Sequence, residues 1–192
     1  MICFGCTILI NLLIEKRYFK MEKIYKPTDG YPSFFQGYLD CVPDDGYLIQ
    51  NLSVIRENTE KLIKGLPPEK LNYRYSEGKW TIKDILVHLA DSERIFIYRA
   101  TRIARGDKTD LPGFDEKLFA LNAHANNRTL DDILNELSVL RAATIVFIET
   151  LDEESLERTG TANGYPISTR LLVNHIYGHQ RHHLNIIEER YL

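Results

Sequence analysis

Residues 80–105 of this chain read WTIKDILVHLADSERIFIYRATRIAR, and this stretch decides the fold. Its large apolar side chains recur at steps of three and four, which predicts one amphipathic helix of about 25 residues. Thr81 and Asp84 have the spacing of a capping box at the start of this helix, and Gly106 ends it. A helix of that length can run the full height of a helical bundle.

Three further segments carry the same helical spacing of apolar residues. They cover residues 45–64, residues 129–151 and the stretch from Ser168 or Thr169 to the chain end, and a shorter helix is predicted around 115–121. The connections between them differ greatly in length, and we find no internal repeat. The sequence therefore predicts an all-α four-helix bundle over residues 45–192, with residues 21–44 as an irregular N-terminal arm rich in Tyr, Phe, Gly and Pro.

Residues 1–20 differ from the rest of the chain and are expected to be an N-terminal extension outside the folded domain. Their apolar run of about 13 residues is too short to span a bilayer. Basic residues follow this run, whereas a secretory signal has them in front. Cys3 and Cys6 form a C-x-x-C spacing without the strand and helix of a redox motif, so we interpret it as chance. We expect a cytoplasmic protein that does not associate with membranes.

The overall composition indicates one ordinary globular domain. The chain has 192 residues, of which 44% are hydrophobic and 27% charged, enough to build a continuous core. The formal net charge is -3 and the pI about 6.1, so no basic field is available to bind phosphates. A nucleic-acid partner is therefore not expected.

The main chemical signal is a cluster of histidines in the last predicted helix. His179 and His183 lie four residues apart, which places them on one helix face about 6 Å apart along the axis. His88 occupies an inward position on another helix, so three imidazoles can converge on one divalent metal ion. The alternative is a set of histidines hydrogen-bonded to their neighbours, but burying imidazoles without a partner is costly. Gln180 stands where a zinc protease has its glutamate, which argues against that mechanism.

Other polar residues near this cluster are candidates for supporting roles. His175 is expected to belong to the core or to line the site, with a role as a substitute metal ligand as the alternative, and His182 is expected to lie beside the site or at the surface. Asp91, three residues after His88, could orient the second ring nitrogen of that histidine. Glu93 is the best candidate for a catalytic base, although its position, about 140° round the helix from His88, favours a charged exposed or packing residue.

The same residues carry a family resemblance. The segment Gly78–Glu93, with the sequence GKWTIKDILVHLADSE, the triplet Pro112-Gly113-Phe114 and the terminal segment His179–His183, HQRHH, together resemble the DinB-like superfamily, which includes YfiT-type metal-dependent proteins. The resemblance covers roughly residues 45–190. It implies a four-helix bundle whose three metal ligands are His88, His179 and His183.

A three-histidine site leaves positions open on the metal, as in catalytic zinc centres, where a bound water or thiol becomes a nucleophile. Zinc is our first choice, and nickel, manganese and iron also suit imidazole ligands. The resemblance implies a transferase that uses a low-molecular-weight thiol on a small-molecule substrate, or a hydrolase; a non-catalytic metal-binding or stress-related protein is a third reading. The loop 107–128, with Phe114 and Asp115, is expected to shape the entrance, and family likeness suggests a homodimer.

Overall fold

The computed structural model describes residues 23–192, so the predictions made for residues 1–20, including the C-x-x-C spacing, lie outside the described part. Four long helices form the bundle. They are α2 (Leu48–Lys64), α4 (Ile82–Ala104), α6 (Leu130–Ile148) and α8 (Thr169–Arg190). Four short helices connect or cover them: α1 (Gln36–Leu39), α3 (Pro68–Leu71), α5 (Glu116–Asn122) and α7 (Glu153–Glu157). The all-α bundle predicted from the sequence is confirmed.

Three of the four long helices, α4, α6 and α8, begin at a residue whose side chain caps the helix. The Thr81 hydroxyl accepts a hydrogen bond from the Asp84 amide, and the Asp84 carboxylate accepts one from the Thr81 amide, so the predicted capping box is confirmed. Thr129 caps α6 and Ser168 caps α8 in the simpler one-bond form. The short helix predicted around 115–121 is also present, as α5.

The four long helices form a ring in which neighbours along the chain are not always neighbours in space. Helix α4 packs against α6 and α8, and α2 packs against the same two helices from the opposite side. Helices α4 and α8 are antiparallel, because His88 near the start of α4 contacts His183 near the end of α8, while Phe96 contacts His175. This pair of helices brings the histidines of the two segments together.

The core is divided into two apolar halves. One half surrounds residues 82–90 of α4 and the other surrounds residues 96–104. Between them lies a buried polar layer, formed by Ser92 and Glu93 of α4, Arg141 of α6, and His179 and Gln180 of α8. The histidine cluster therefore lies at the middle of the bundle, with apolar packing above and below it.

The N-terminal arm packs across α8. Gly178 makes this contact feasible, because a β-carbon at this position would lie 2.2 Å from the Tyr38 carbonyl oxygen. The Lys26 ammonium donates to the carbonyl oxygens of Leu39 and Val42 at 3.1 and 3.0 Å, which ties the start of the arm to α1. The arm thereby places the Tyr38 ring over the histidine face of α8.

The connection between the predicted helices at 129–151 and from residue 168 contains a β-hairpin, which the sequence analysis did not predict. Strands β1 (Thr159–Ala162) and β2 (Tyr165–Ser168) pair antiparallel around Asn163 and Gly164. Both turn residues have positive φ, 52° and 75°, as a type I′ turn requires. Leu111 pairs with this hairpin and so fixes the start of the loop that follows α4. No helix within residues 23–192 combines the length and apolar character needed to cross a membrane.

Candidate metal centre

Three histidine side chains meet at one point between α4 and α8. The Nε2 atom of His179 lies 3.1 Å from Nε2 of His88 and 3.2 Å from Nε2 of His183. Candidate ligand atoms of the three residues all lie within 4.8 Å of one another. His88 and His179 are buried, and His183 is partly exposed. The structure thus brings together the three residues that the sequence analysis proposed as metal ligands.

The donor set fits a divalent metal ion. Burial lowers the pKa of His88 to about 4, that of His183 to about 3 and that of His179 well below its usual value, so all three rings are neutral. Metal–nitrogen bonds of about 2.0–2.1 Å at tetrahedral angles place ligand nitrogens ~3.3 Å apart, close to the observed spacing. A metal can accept all three Nε2 lone pairs at once, whereas one ring proton cannot bridge three nitrogens.

The contacts that orient His88 differ from the prediction. Its Nδ1 atom lies 3.4 Å from the Ser92 hydroxyl, one helical turn away. The indole ring of Trp80 packs on the same imidazole at a centroid distance of 4.6 Å. Asp91, which was predicted to orient His88, instead accepts a hydrogen bond from Arg94, because its side chain projects toward the outside of the bundle. The sequence could have indicated the contact between Ser92 and His88, because the two residues are four positions apart and so lie on the same helix face.

Glu93 is not available as a base, which corrects the catalytic role considered for it. Both carboxylate oxygens accept hydrogen bonds from the Arg141 guanidinium, at 2.9 and 2.8 Å, and both side chains are buried. Arg141 also donates to the side chain of Gln180, whose amide donates to Thr59. This network joins α4, α6, α8 and α2 directly behind His179, so its role is to hold the helices in register.

His175 and His182 lie on either side of Tyr38. His175 is buried, its ring meets Tyr38 edge-on at 4.7 Å, and its Nδ1 atom has no hydrogen-bond partner among the described residues. His182 is partly exposed and meets the same tyrosine at 5.0 Å. Sequence patterns gave no indication of Tyr38, because it reaches the site from the distant arm.

Two cavities flank the histidine cluster. The larger has a volume of about 760 Å³ and reaches His183, with Trp80 in its wall. The smaller, of about 180 Å³, reaches His175 and His179, and Phe114 lines it. The loop after α4 contributes residues to both. Asp115 lines neither; its carboxylate caps α5 by accepting hydrogen bonds from the amides of residues 117 and 118.

Comparison with known proteins places this geometry in a family. Residues 51–187, which contain all three histidines, match the sequence profile of the DinB superfamily. The chain belongs to the DinB superfamily. The resemblance noted from the W-T start of α4, the H-L-x-D-x-E segment and the terminal histidines is therefore confirmed.

Three relatives of this DinB-superfamily chain are named provisionally as metal-dependent hydrolases. A protein of Geobacillus thermodenitrificans is 28% identical over 110 residues, which is 56% of this chain and 62% of that protein. Proteins of Oceanobacillus iheyensis and Geobacillus kaustophilus are 27% and 29% identical over 64% and 63% of this chain, and over 70% and 69% of their own lengths. Less than two thirds of the first relative is thus matched.

A solved structure agrees with the fold of the DinB-superfamily chain. YfiT from Bacillus subtilis, described as having an unusual four-helix bundle topology, superposes with a TM-score of 0.68. The match covers 86% of this chain and 90% of YfiT at 19% sequence identity, so it establishes the fold alone. Family membership, metal-dependent relatives and the three-histidine cluster together support a metal ion at this centre.

Proposed function

We propose that the protein is a metal-dependent transferase that joins a low-molecular-weight thiol to a small electrophilic substrate. One observation carries this proposal: two separate cavities reach the three-histidine cluster, one at His183 and the other at His179. A reaction between two organic molecules needs two binding spaces that meet at one centre. A hydrolase needs only one such space, because its second reactant is water.

The larger cavity has the character of a site for a polar, negatively charged cosubstrate. Three basic side chains line it, Arg74, Lys79 and Lys117. Arg74 is paired with the acidic residue Asp84 at 3.1 Å, so, within residues 23–192, Lys79 and Lys117 are the cavity's uncompensated positive charges. The wall also includes Trp80, so a thiol with carboxylate groups and some apolar surface would be complementary to it. We therefore assign the thiol to this cavity.

The histidines would hold the metal through their Nε2 atoms. We propose zinc, because neutral imidazoles are common zinc ligands. Nickel, iron and manganese can also bind imidazole, so the three histidines alone do not select among these metals. When bound, such an ion lowers the pKa of a thiol or water toward neutrality and so supplies a nucleophile. Trp80 covers one side of His88 and limits water there. Glu93 is held by Arg141, so a reaction that requires no strong protein base is favoured.

A hydrolase is the second candidate, because the curated relatives are provisionally named metal-dependent hydrolases. The three-histidine set is compatible with it, since water would take the open position in place of the thiol. A metal-binding protein without turnover is the third. The three differ in what they require: the transferase needs a thiol, the hydrolase does not, and the binding protein consumes no substrate.

The experiment is an activity assay with metal-loaded protein. An alkylating electrophile such as monobromobimane is supplied with and without cysteine or glutathione, and esters are tested in parallel. We expect consumption of the electrophile above the uncatalysed rate only with thiol. We expect Lys79→Gln to raise the KM for the thiol and not for the electrophile, with Lys61→Gln on the outer face of α2 as the charge-matched control. Ester cleavage without thiol would favour the hydrolase, and no turnover would exclude both enzymes.

A further inference from the structure

The smaller cavity has an aromatic wall and a buried polar end. It lies between the arm, α4, the loop after α4, the hairpin and α8. Six aromatic side chains line it: Phe34, Phe35, Tyr38, Phe96, Phe114 and Tyr165. Its polar side chains are Arg99, His175, Glu116 and Asn163, and it ends against His179. A cavity of this kind takes a small molecule that is mostly apolar and carries a few polar atoms.

Arg99 is a buried cation without an acidic partner. Its side chain donates to the Pro112 carbonyl oxygen at 2.6 Å, and its guanidinium lies 6.0 Å from the centre of the Phe114 ring. No carboxylate of residues 23–192 forms an ion pair with it, whereas Arg141, the other buried arginine, is held on both sides by Glu93. Burying a charge is costly unless it is paired, so Arg99 has the character of a ligand-binding group.

His175 provides a second buried polar group in the same cavity. It is 4% exposed, and its Nδ1 atom has no hydrogen-bond partner within the described part of the chain. The rings of Phe35, Tyr38 and Phe96 pack edge-on around it, at 4.8, 4.7 and 4.6 Å. Because buried polar atoms are normally hydrogen-bonded, the unpartnered nitrogen is available to a ligand.

The acidic residue of this cavity lies at its rim. Glu116 is exposed to solvent, and burial of part of its carboxyl raises its pKa. Arg99 is buried and Glu116 is exposed, so the positive charge of this cavity lies deeper than its acidic group. This polarity suits an anionic ligand.

We propose that this cavity binds a small organic carboxylate, with the carboxylate on Arg99, a hydrogen bond to His175, and the apolar body along the aromatic wall toward His179. Guanidinium and carboxylate are matched in geometry, because two parallel N–H···O bonds can form between them. The inference rests on the proposed function and gives the chemical class of its electrophilic substrate. The thiol remains assigned to the larger cavity.

The test measures binding of benzoate, with benzamide as its uncharged analogue, by isothermal titration calorimetry on the protein as isolated, after its metal content is determined. We expect Arg99→Gln to weaken benzoate binding about tenfold or more, because a charge-assisted hydrogen bond is lost. Arg105→Gln removes an exposed positive charge one and a half turns further along α4 and should leave the affinity unchanged. Benzamide should respond to neither substitution.

The proposal is overturned by an absence of benzoate binding or by equal affinity in wild type and Arg99→Gln. Binding that survives Arg99→Gln but disappears when a chelator removes the metal would also overturn it, since the carboxylate would then be on the metal. If Arg99→Gln does not fold, a crystal structure of the wild-type protein with benzoate tests the proposal instead. The carboxylate is expected within hydrogen-bond distance, about 2.7–3.2 Å, of the Arg99 guanidinium, and any other position contradicts the assignment.

This test is independent of the test for the proposed function. Benzoate binding that depends on Arg99, together with an absence of turnover, would leave the carboxylate site in place and remove the transferase. Thiol-dependent turnover in which Arg99→Gln leaves the KM for a carboxylate electrophile unchanged would support the transferase and contradict the carboxylate site.

Discussion

The Nε2 atoms of His88 and His179 lie 3.1 Å apart, although the two residues are 91 positions apart in the chain. Both rings are buried, and burial lowers both pKa values, so neither carries a charge that would drive them apart. Two neutral imidazoles at this distance, with His183 at 3.2 Å from His179, form a preorganised set of metal ligands. The antiparallel packing of α4 and α8 is what creates it.

The Ser92 hydroxyl should increase the affinity for metal. It lies 3.4 Å from His88 Nδ1 and is buried, so Ser92→Ala leaves that ring nitrogen without its partner. We expect a loss of metal affinity of about tenfold, as for other groups that orient a ligand histidine. Competition with a chromophoric chelator measures it. Ser53→Ala on α2, whose hydroxyl bonds only to its own helix, is the control, and an equal effect there would contradict the role of Ser92.

The Glu93–Arg141 ion pair should stabilise the folded protein. Glu93→Gln leaves a buried guanidinium with a neutral partner, and we expect the free energy of unfolding to fall by about 3–5 kcal/mol. Replacing both residues, Glu93→Leu with Arg141→Met, should cost less than the single substitution. Denaturant unfolding gives these values. A Glu93→Gln variant with wild-type stability and a changed pH–rate profile would instead restore Glu93 as a base.

The sequence predicted the bundle and the shared face of His179 and His183 because both depend on local periodicity, whereas His88 was indicated by its inward position and by the family resemblance. Thr81, Asp84 and the four-residue step from His179 to His183 are visible in the chain itself. The β-hairpin was missed although Asn163 and Gly164 are the standard signal for a tight turn, because the flanking strands are only four residues long.

Long-range contacts could not be predicted in the same way. The pairing of Glu93 with Arg141 depends on which faces of α4 and α6 meet, and the position of Tyr38 depends on how the arm crosses α8. Neither leaves a pattern in the local sequence. The domain boundaries at residues 20 and 44, the homodimer and the cytoplasmic location stay predictions.

The docking of the arm should depend on the absence of a side chain at Gly178. A β-carbon there would lie 2.2 Å from the Tyr38 carbonyl oxygen, whereas one at Gly37 in α1 meets nothing within 4 Å. We expect Gly178→Ala to lower the free energy of unfolding by about 1–3 kcal/mol and to speed amide exchange in residues 33–42. Gly37→Ala is the matched control. Unchanged exchange in Gly178→Ala would mean that the arm is not packed on α8.

Acid should destabilise the metal-free protein through its buried histidines. Burial lowers the pKa of His175 to about 3, while the unfolded chain takes up this proton near pH 6.5. Between these values the unfolded state binds more protons, so the free energy of unfolding decreases as the pH is lowered, by up to about 1.4 kcal/mol per pH unit for each such histidine.

Urea unfolding of metal-free protein between pH 7 and pH 4.5 measures this dependence. His175→Phe keeps an aromatic ring in the pocket and should remove one histidine's share of the slope. Identical slopes for wild type and His175→Phe would contradict the assignment of a buried neutral ring.

The central claim is that His88, His179 and His183 bind one divalent metal ion. Elemental analysis of purified protein tests it, with wild type beside His183→Ala and His182→Ala, since His182 is the adjacent, partly exposed histidine outside the cluster. We expect about one metal ion per chain in wild type and in His182→Ala, and its loss in His183→Ala. Wild-type protein that holds no metal after reconstitution, or His183→Ala that retains it fully, would contradict the account.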